Sequence, residues 1–459
     1  MTIDSPASLG AALRGRIALP GDEDYDKART GWNLTVEHHP EVIVLAEDTA
    51  DVVEAVRYAS RADLPIAVQS TGHGISVPAD GAVYINTSRL AGVTVDSDAR
   101  TARIEAGLRW GQVIEAAIGH GLAPLCGSST YIGVMGYLTG GGLPVLARTY
   151  GFAANTVRSL DVVTADGELR TTSPEREPDL FWAVRGGKSN FGVVVAAEID
   201  LLNLPRIYGG SLFFDGKHAE RVLRTYIDWT STLPDEMTSS IIFIRYPDIP
   251  MMPAEIRGRF FTTVRIAYAG DPAEGERLVA PLRALGPELD EVADMSYADI
   301  EEIYHDPFRP TPANNRSALL TDLGDTAVEE LIGLLGPDND VPFGGVELRH
   351  LGGALARPLT RDAAVGRQDA AFHMFASLPA RMNATHYRER VLRTLSELVR
   401  VLEPWDTGRM LPGFMFNDDT TSEAVRRGYA DADYQRLVDV KTTYDPRNLF
   451  RVNHNIPPR

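Results

Sequence analysis

Gln69-Ser70-Thr71-Gly72-His73-Gly74-Ile75 follows directly on the apolar run Pro65–Val68. The run reads as a short buried strand, and the small residues after it let a backbone come close to a ligand and turn several N–H groups toward an anion. A histidine inside such a turn has two readings: a group aimed at a bound molecule, or an ordinary surface histidine on a loop.

Two more glycine-rich stretches lie within the first two hundred residues. Gly127–Gly142 reads GSSTYIGVMGYLTGGG. That glycine density points to left-handed backbone or to backbone pressed against a flat ligand. Tyr131, Ile132, Val134, Met135, Tyr137 and Leu138 are interleaved with it, whereas a flexible linker would be polar. The third stretch, Arg185–Val194, reads RGGKSNFGVV. Its Gly-Lys-Ser imitates the end of a P-loop, but the glycine required five residues before Gly187 is Trp182, so the match fails. No G-x-G-x-x-G opens a helix, and neither a G-x-S-x-G elbow nor an H-E-x-x-H pair occurs. His38 and His39 are adjacent, without a partner at metal-ligand spacing. Three such turns beside predicted strands fit a long, flat cofactor with a pyrophosphate better than a small metabolite.

The chain has 459 residues, 44% hydrophobic and 24% charged, which is globular composition. With 45 Lys plus Arg against 63 Asp plus Glu, the net charge is −18. Phosphate backbones and anionic membrane surfaces are repelled, so no nucleic-acid or membrane partner is expected. No apolar run approaches the 18 to 20 residues of a membrane span, and no secretory signal is visible. Cys126 is the only cysteine, which excludes a disulfide scaffold and points to a reducing, cytoplasmic setting.

Periodicity predicts helices over Thr49–Asp63, Trp110–His120, Ala219–Trp229, Glu276–Leu285 (kinked or shortened by Pro281) and Arg388–Leu402. It predicts strands at Val83–Asn86, Phe191–Leu201 and Ala370–Ala376, and a strand pair over Arg257–Tyr268. Hairpins are expected for Val93–Asp96 with Thr101–Glu105, and across Asp166-Gly167. The texture changes near Leu204-Pro205. The expected division is 1–205, a second domain over 206–409, and a segment 410–459 returning to the first.

The ordered set of Tyr25-Asp26…Arg29…Trp32-Asn33, Pro65–Gly74, Asp80-Gly81, Gly107–Gly111, Gly133–Gly142, Arg148–Gly151, Asp161–Gly167, Leu180–Val194 and Tyr444-Asp445-Pro446…Asn448–Arg451…Asn453…Asn455-Ile456 resembles the PCMH-type (vanillyl-alcohol-oxidase-like) FAD-binding fold in its berberine-bridge-enzyme-like branch. Within it the pattern is most similar to bacterial singly linked oxidases of the 6-hydroxynicotine-oxidase type and to actinobacterial natural-product oxidases. The resemblance implies an α+β architecture, in which the FAD domain is joined by a substrate domain with an antiparallel sheet backed by helices.

It also implies a FAD-dependent oxidase acting on an alcohol, amine, sugar or natural-product intermediate. Hydride would pass to flavin N5, and O2 would take the electrons to give H2O2. A dehydrogenase using another acceptor, and a flavin-bearing binder without turnover, remain open. By the same resemblance FAD is attached through its 8α-methyl to His73. Gln69, Ser70, Thr71, Gly72 and Gly74 wrap the pyrophosphate, with Gln69 standing where relatives often carry arginine. Gly136, Thr139, Gly140 and Gly141 line flavin and phosphates, Val193 and Val194 contact the adenine side, and Asn453 and Asn455 the isoalloxazine or ribityl edge. Doubly linked members carry a cysteine at the position of Ser129. Cys126 is out of register, so a single linkage is expected.

Relatives place a Tyr-x-Asn against the flavin. Here that stretch is Phe414-Met415-Phe416-Asn417, without tyrosine. The remaining candidates for catalysis are Glu347 and Arg349, which would share one face of a strand, together with Tyr246 and Tyr137. The alternative for Glu347 and Arg349 is a surface ion pair, and for the two tyrosines, packing. Tyr304-His305-Asp306 resembles an acid–base cluster, but adjacent residues do not share a face on a helix.

Overall fold

The computed structural model describes residues 5–459 apart from 75, 251, 340, 359–360, 367, 380–384 and 417. Of the motif residues above, Ile75 and Asn417 therefore lie outside the described residues. Among those described, the strands form three sheets. Arg16–Ala18 (β1), Val42–Leu45 (β2), Ile66–Gln69 (β3) and Val83–Asn86 (β4) make the first, ordered β1-β2-β4-β3 with β2, β4 and β3 parallel. Val93–Asp96 (β5), Thr101–Glu105 (β6), Val157–Val163 (β7), Leu169–Thr172 (β8) and Val193–Asp200 (β9) make an antiparallel second sheet, β5-β6-β9-β7-β8. β2 and β4 are buried along their whole length, as parallel strands covered on both faces require. The helix Thr49–Ala62 packs its Val52, Ala55, Val56 and Ala59 face into the core shared by these sheets.

The third sheet is antiparallel: Arg206–Asp215 (β10), Met237–Arg245 (β11), Phe260–Tyr268 (β12), Leu289–Asp290 (β13), Ala293–Ser296 (β14), Ala313–Leu320 (β15), Gly344–His350 (β16) and Phe372–Pro379 (β17). Its order is β13-β10-β12-β11-β16-β17-β15, with β14 also on β10. This is an α+β protein. Alternation along the strands splits the third sheet into two faces. Ile241, Val264, Leu348 and Met374 bury against helices Ala219–Thr230, Asp325–Leu335 and Thr385–Leu402. Among the described residues no long helix lies on the other face; the 3-10 segment Tyr297–Ile303 with Tyr304 and the short helix Ala147–Tyr150 pack there, and its Ser240, Arg265, Glu347 and His373 are buried.

Two sequence expectations are corrected. Arg257–Tyr268 holds one strand, β12, preceded by a turn, rather than a pair. The helix around Pro281 runs Pro272–Arg283 without interruption, since Pro281 lies in the last turn, where its missing N–H forfeits a single bond. The glycine-rich stretch Gly127–Gly142 is not a loop throughout: Val134–Thr139 is helical.

Two buried arginines clamp the halves. Arg148 donates to the carbonyl oxygens of Met237 and Leu351, and Arg185 to that of Asp362. The chain end is tied to the first half through Lys441, whose ammonium is buried and bonds Asp445 at 2.6 Å and the carbonyl oxygens of Asn190 and Phe450. Asp445 in turn accepts the N–H groups of Leu449 and Phe450, which explains the Tyr444-Asp445-Pro446 signature.

Candidate active site at the seam between the sheets

β3 delivers its last residue, Gln69, into a turn over the end of the first sheet. The Gln69 amide is held from both sides: Tyr84 Oη donates to its Oε1, and its Nε2 donates to the Thr30 carbonyl at 3.4 Å. Gly72 takes φ +78, and a Cβ there would stand 2.5 Å from Gly31 Cα, so the turn closes on Gly31-Trp32 only with glycine. Tyr84→Phe should lower stability by about 1–3 kcal/mol, because a buried amide oxygen loses its donor. Thermal or denaturant unfolding reads this, and an unchanged midpoint would refute the assigned role of Tyr84.

His73 emerges from this turn with its ring stacked on Trp32, centroids 4.1 Å apart and 19° between planes. Nδ1 lies 2.7 Å from Thr71 Oγ1, which also accepts the Gly133 N–H. Nε2 is buried and has no partner among the described residues. Burial, aided by the Arg109 charge, lowers the imidazole to about 3, so it is neutral at physiological pH. Ser70 Oγ is likewise buried and unpartnered, and the Cβ directions of Gly74 and Gly136 meet open space.

The other expected cofactor residues fall in two groups. Asn453 and Asn455 each have a buried, unpartnered Oδ1, and Asn453 Nδ2 donates to Ser189 Oγ and the Phe450 carbonyl. Thr139 bonds back to the Gly136 carbonyl, Ser129 caps the Tyr131 N–H, and Val193 and Val194 are paired in β9 with Val163 and Val162. At Gly140 and Gly141 an added Cβ would meet Gly413 and Val365, so these glycines also serve the packing of the halves. Cys126 is wholly buried beside Tyr297 Oη, and burial pushes its thiol up to about 12.

The helix Val134–Thr139, which follows the Gly133 that bonds Thr71, carries Tyr137 toward the polar side of the third sheet. The sheet's registers place Ser211, Arg265, Ser240, Arg349 and His373 in one row across β10, β12, β11, β16 and β17. Glu347 sits in the next row. The Glu347 carboxylate, 2% exposed, accepts from Ser240 Oγ at 2.6 Å, Arg265 Nη1 at 3.1 Å and Arg349 Nε at 2.9 Å. Despite burial, Arg349 and Arg265 hold it down to about 2. The pairing of Glu347 with Arg349 is thus real but interior, not a surface ion pair.

Both guanidinium groups lie against the Tyr304 ring, at 4.7 and 5.3 Å. Tyr137 comes from the other side: its hydroxyl is buried without a partner, feels the Arg349 charge, and is pushed well above its usual range by burial. Gly127 and Gly142 leave room for its ring. His373 is wholly buried, has both ring nitrogens unpartnered, and is lowered to about 3 by burial and Arg349. Its ring stands 4.3 Å from that of Phe414. Tyr246 packs edge-on against Phe261 and shares a small pocket with Arg265 and Tyr304, at the margin of the row.

The structure therefore gathers Glu347, Arg349 and Tyr137, and leaves Tyr246 at the edge. Sequence reasoning missed Arg265, Ser240 and His373, and set Tyr304 aside. Tyr304 follows a 3-10 segment, Tyr297–Ile303, so helical spacing did not apply: Tyr304 enters the site, Asp306 accepts from Ser128 Oγ at 2.5 Å, and His305 turns out to Glu291. Pattern alone offered no signal for His373.

Unpartnered polar atoms on both walls of a buried seam, glycines open toward it and a neutral histidine suit a long, flat, polar-edged cofactor. Comparisons with known proteins agree. Residues 40–173 match the FAD binding domain model, and residues 415–457 the berberine and berberine-like model. An (R)-6-hydroxynicotine oxidase of Paenarthrobacter nicotinovorans is 28% identical, with 99% of each chain covered. An FAD-linked oxidoreductase of Bacillus subtilis (strain 168) is 28% identical, with 97% of each chain covered. The crystal structure of 6-hydroxy-D-nicotine oxidase from Arthrobacter nicotinovorans superposes with a TM-score of 0.84 at 25% identity, over 97% of this chain and 98% of that one. Berberine bridge enzyme from Eschscholzia californica shares the fold, with a TM-score of 0.84 at 18% identity and 99% of each chain covered.

Proposed function

We propose, for a chain that belongs to the berberine-bridge-enzyme-like FAD-dependent oxidoreductases, that it is an oxidase of a small organic molecule carrying a C–H beside O–H or N–H: an alcohol, amine, sugar or natural-product intermediate. The observation that carries this reading is the buried polar row of the third sheet, which the unpartnered Tyr137 hydroxyl approaches from the half that also holds the unpartnered Nε2 of His73. FAD, when bound, supplies the hydride acceptor at N5 and a route for two electrons to O2, giving H2O2. That a relative is named as an oxidase supports oxygen as acceptor.

The chain's own residues have distinct parts in this reading. In this reading His73 carries its ring proton on Nδ1, 2.7 Å from Thr71 Oγ1, so that the unpartnered Nε2 would bond the flavin 8α carbon as that carbon loses a hydrogen and two electrons pass through the flavin to O2. Asn453, Asn455 and Ser70 hold the cofactor's polar edges, while Gln69, its amide bonded to Tyr84 and Thr30, fixes the turn that presents them. Tyr137 Oη donates to the substrate heteroatom, and the neutral His373 imidazole orients it by accepting a hydrogen bond from its O–H or N–H. Glu347 is a weak base at about 2. It acts by holding Arg265 and Arg349 beside the reacting group, while Tyr246 borders the substrate's outer end. No helix among the described residues is long and apolar enough to cross a membrane.

Anaerobic mixing with a panel from these four classes should bleach the yellow absorbance. Admitting air should restore it with one H2O2 formed per substrate consumed. Bleaching without peroxide in air would transfer the reading to a dehydrogenase with another acceptor. Undiminished colour across the panel would sink turnover on these substrates.

A further inference from the structure

Outside the polar row, the buried Lys188 ammonium lacks a counter-ion among the described residues. Lys188 follows Gly186-Gly187 and adopts φ +58. That left-handed backbone is strained for a residue with a Cβ, and glycine would take it freely. Strain of this kind persists where the surroundings impose it, commonly at ligand sites. Lys188 Nζ lies 2.9 Å from His454 Nδ1. His454 is 2% exposed, and its Nε2 is 3.1 Å from the Phe416 carbonyl oxygen. A carbonyl only accepts, so Nε2 bears the proton, Nδ1 bears the lone pair, and Lys188 is the donor. The imidazole is neutral and the positive charge stays on Lys188.

Among the described residues no carboxylate reaches ion-pair distance of Lys188. The nearest acidic influence is Asp419, which is already engaged by the Phe416 N–H at 2.9 Å. Burial accordingly lowers the ammonium to about 8. Leaving a buried charge unpaired is costly, and the cost falls when a ligand brings the opposite charge. The surroundings say which ligand. Lys188–Asn190 packs on the helix Val134–Thr139, whose Gly136 is open. The unpartnered Oδ1 atoms of Asn453 and Asn455 flank His454 in sequence. Beyond His454, the Phe416 ring stacks on Phe375, which pairs with Glu347 on the polar face. Lys188 thus belongs to the same seam, on its FAD-binding wall.

We infer that Lys188 is the flavin-facing cation of this protein, set against the pyrimidine edge of the isoalloxazine to stabilise the negative charge the ring acquires on reduction. The inference rests on the FAD reading above. Charge near flavin N1 tunes its electronics, and sulfite addition at N5 reports the same stabilisation without substrate.

The test compares flavin-loaded wild type, Lys188→Gly and Lys188→Arg. Glycine suits φ +58, so the first variant removes the charge without backbone cost, and its melting temperature checks that it folds. Sulfite affinity in Lys188→Gly should fall at least tenfold and the midpoint potential should drop by about 30 mV or more, tenfold in a two-electron equilibrium. Lys188→Arg should stay near wild type in both. Unchanged sulfite affinity and potential in Lys188→Gly, with flavin bound, overturn the inference while leaving the FAD reading intact. Loss of flavin retention at unchanged potential overturns it too, by moving the charge to the pyrophosphate. A wild-type chain that carries no flavin removes both readings.

Discussion

His73→Ala yields protein that loses its flavin on acid denaturation, while wild type and Cys126→Ala keep the colour through gel filtration in denaturant. The expected change is from full to no retention. It follows from two thiol and imidazole environments that differ in kind. His73 is neutral, clamped against Trp32, and has one nitrogen free and buried at the seam. Cys126 is held as a thiol near 12, beside Tyr297 in the interior, and a thiol rather than a thiolate is a poor nucleophile. Colour retained by His73→Ala, or shed by wild type, would refute the single histidyl bond. A shifted bound spectrum in Cys126→Ala would show that the cysteine touches the cofactor.

Glu347→Gln should destabilise the protein by about 3–5 kcal/mol, because it leaves the guanidinium groups of Arg265 and Arg349 buried without their shared carboxylate. The sign with pH is definite. The folded-state value, about 2, is below the ordinary 4.5. The stabilisation is complete above about 4.5 and is lost as pH falls toward 2. Wild type should therefore show an acid limb between these values that Glu347→Gln lacks. Denaturant midpoints measured across that range decide it, and parallel curves for the two proteins would disprove the buried charge network.

How much of this was legible beforehand divides by distance along the chain. The Gln69–Gly74 turn, the Gly-rich helix start and the terminal Asp445 motif are local, and each carries its chemistry within about ten residues. Their residue types therefore pointed to an FAD-binding half. The loop glycines were read for ligand approach, whereas Gly127 and Gly142 make space for Tyr137, a role visible only with the ring in place.

The polar row of the third sheet is different. Alternation showed that Glu347 and Arg349 share a face, but not whether that face meets water or protein. What settled this was the burial of the polar side of the third sheet. Arg265, Ser240, Arg349 and His373 come from four strands spread over more than a hundred residues, and only the strand registers set them in one row. The cofactor family and the His73 loop were thus written in short-range sequence, where backbone conformation is set by neighbouring residues. The polar row, the partners of Glu347 and the isolation of Lys188 were decided by tertiary structure, because charge environment depends on which distant side chains share a buried volume and not on sequence order.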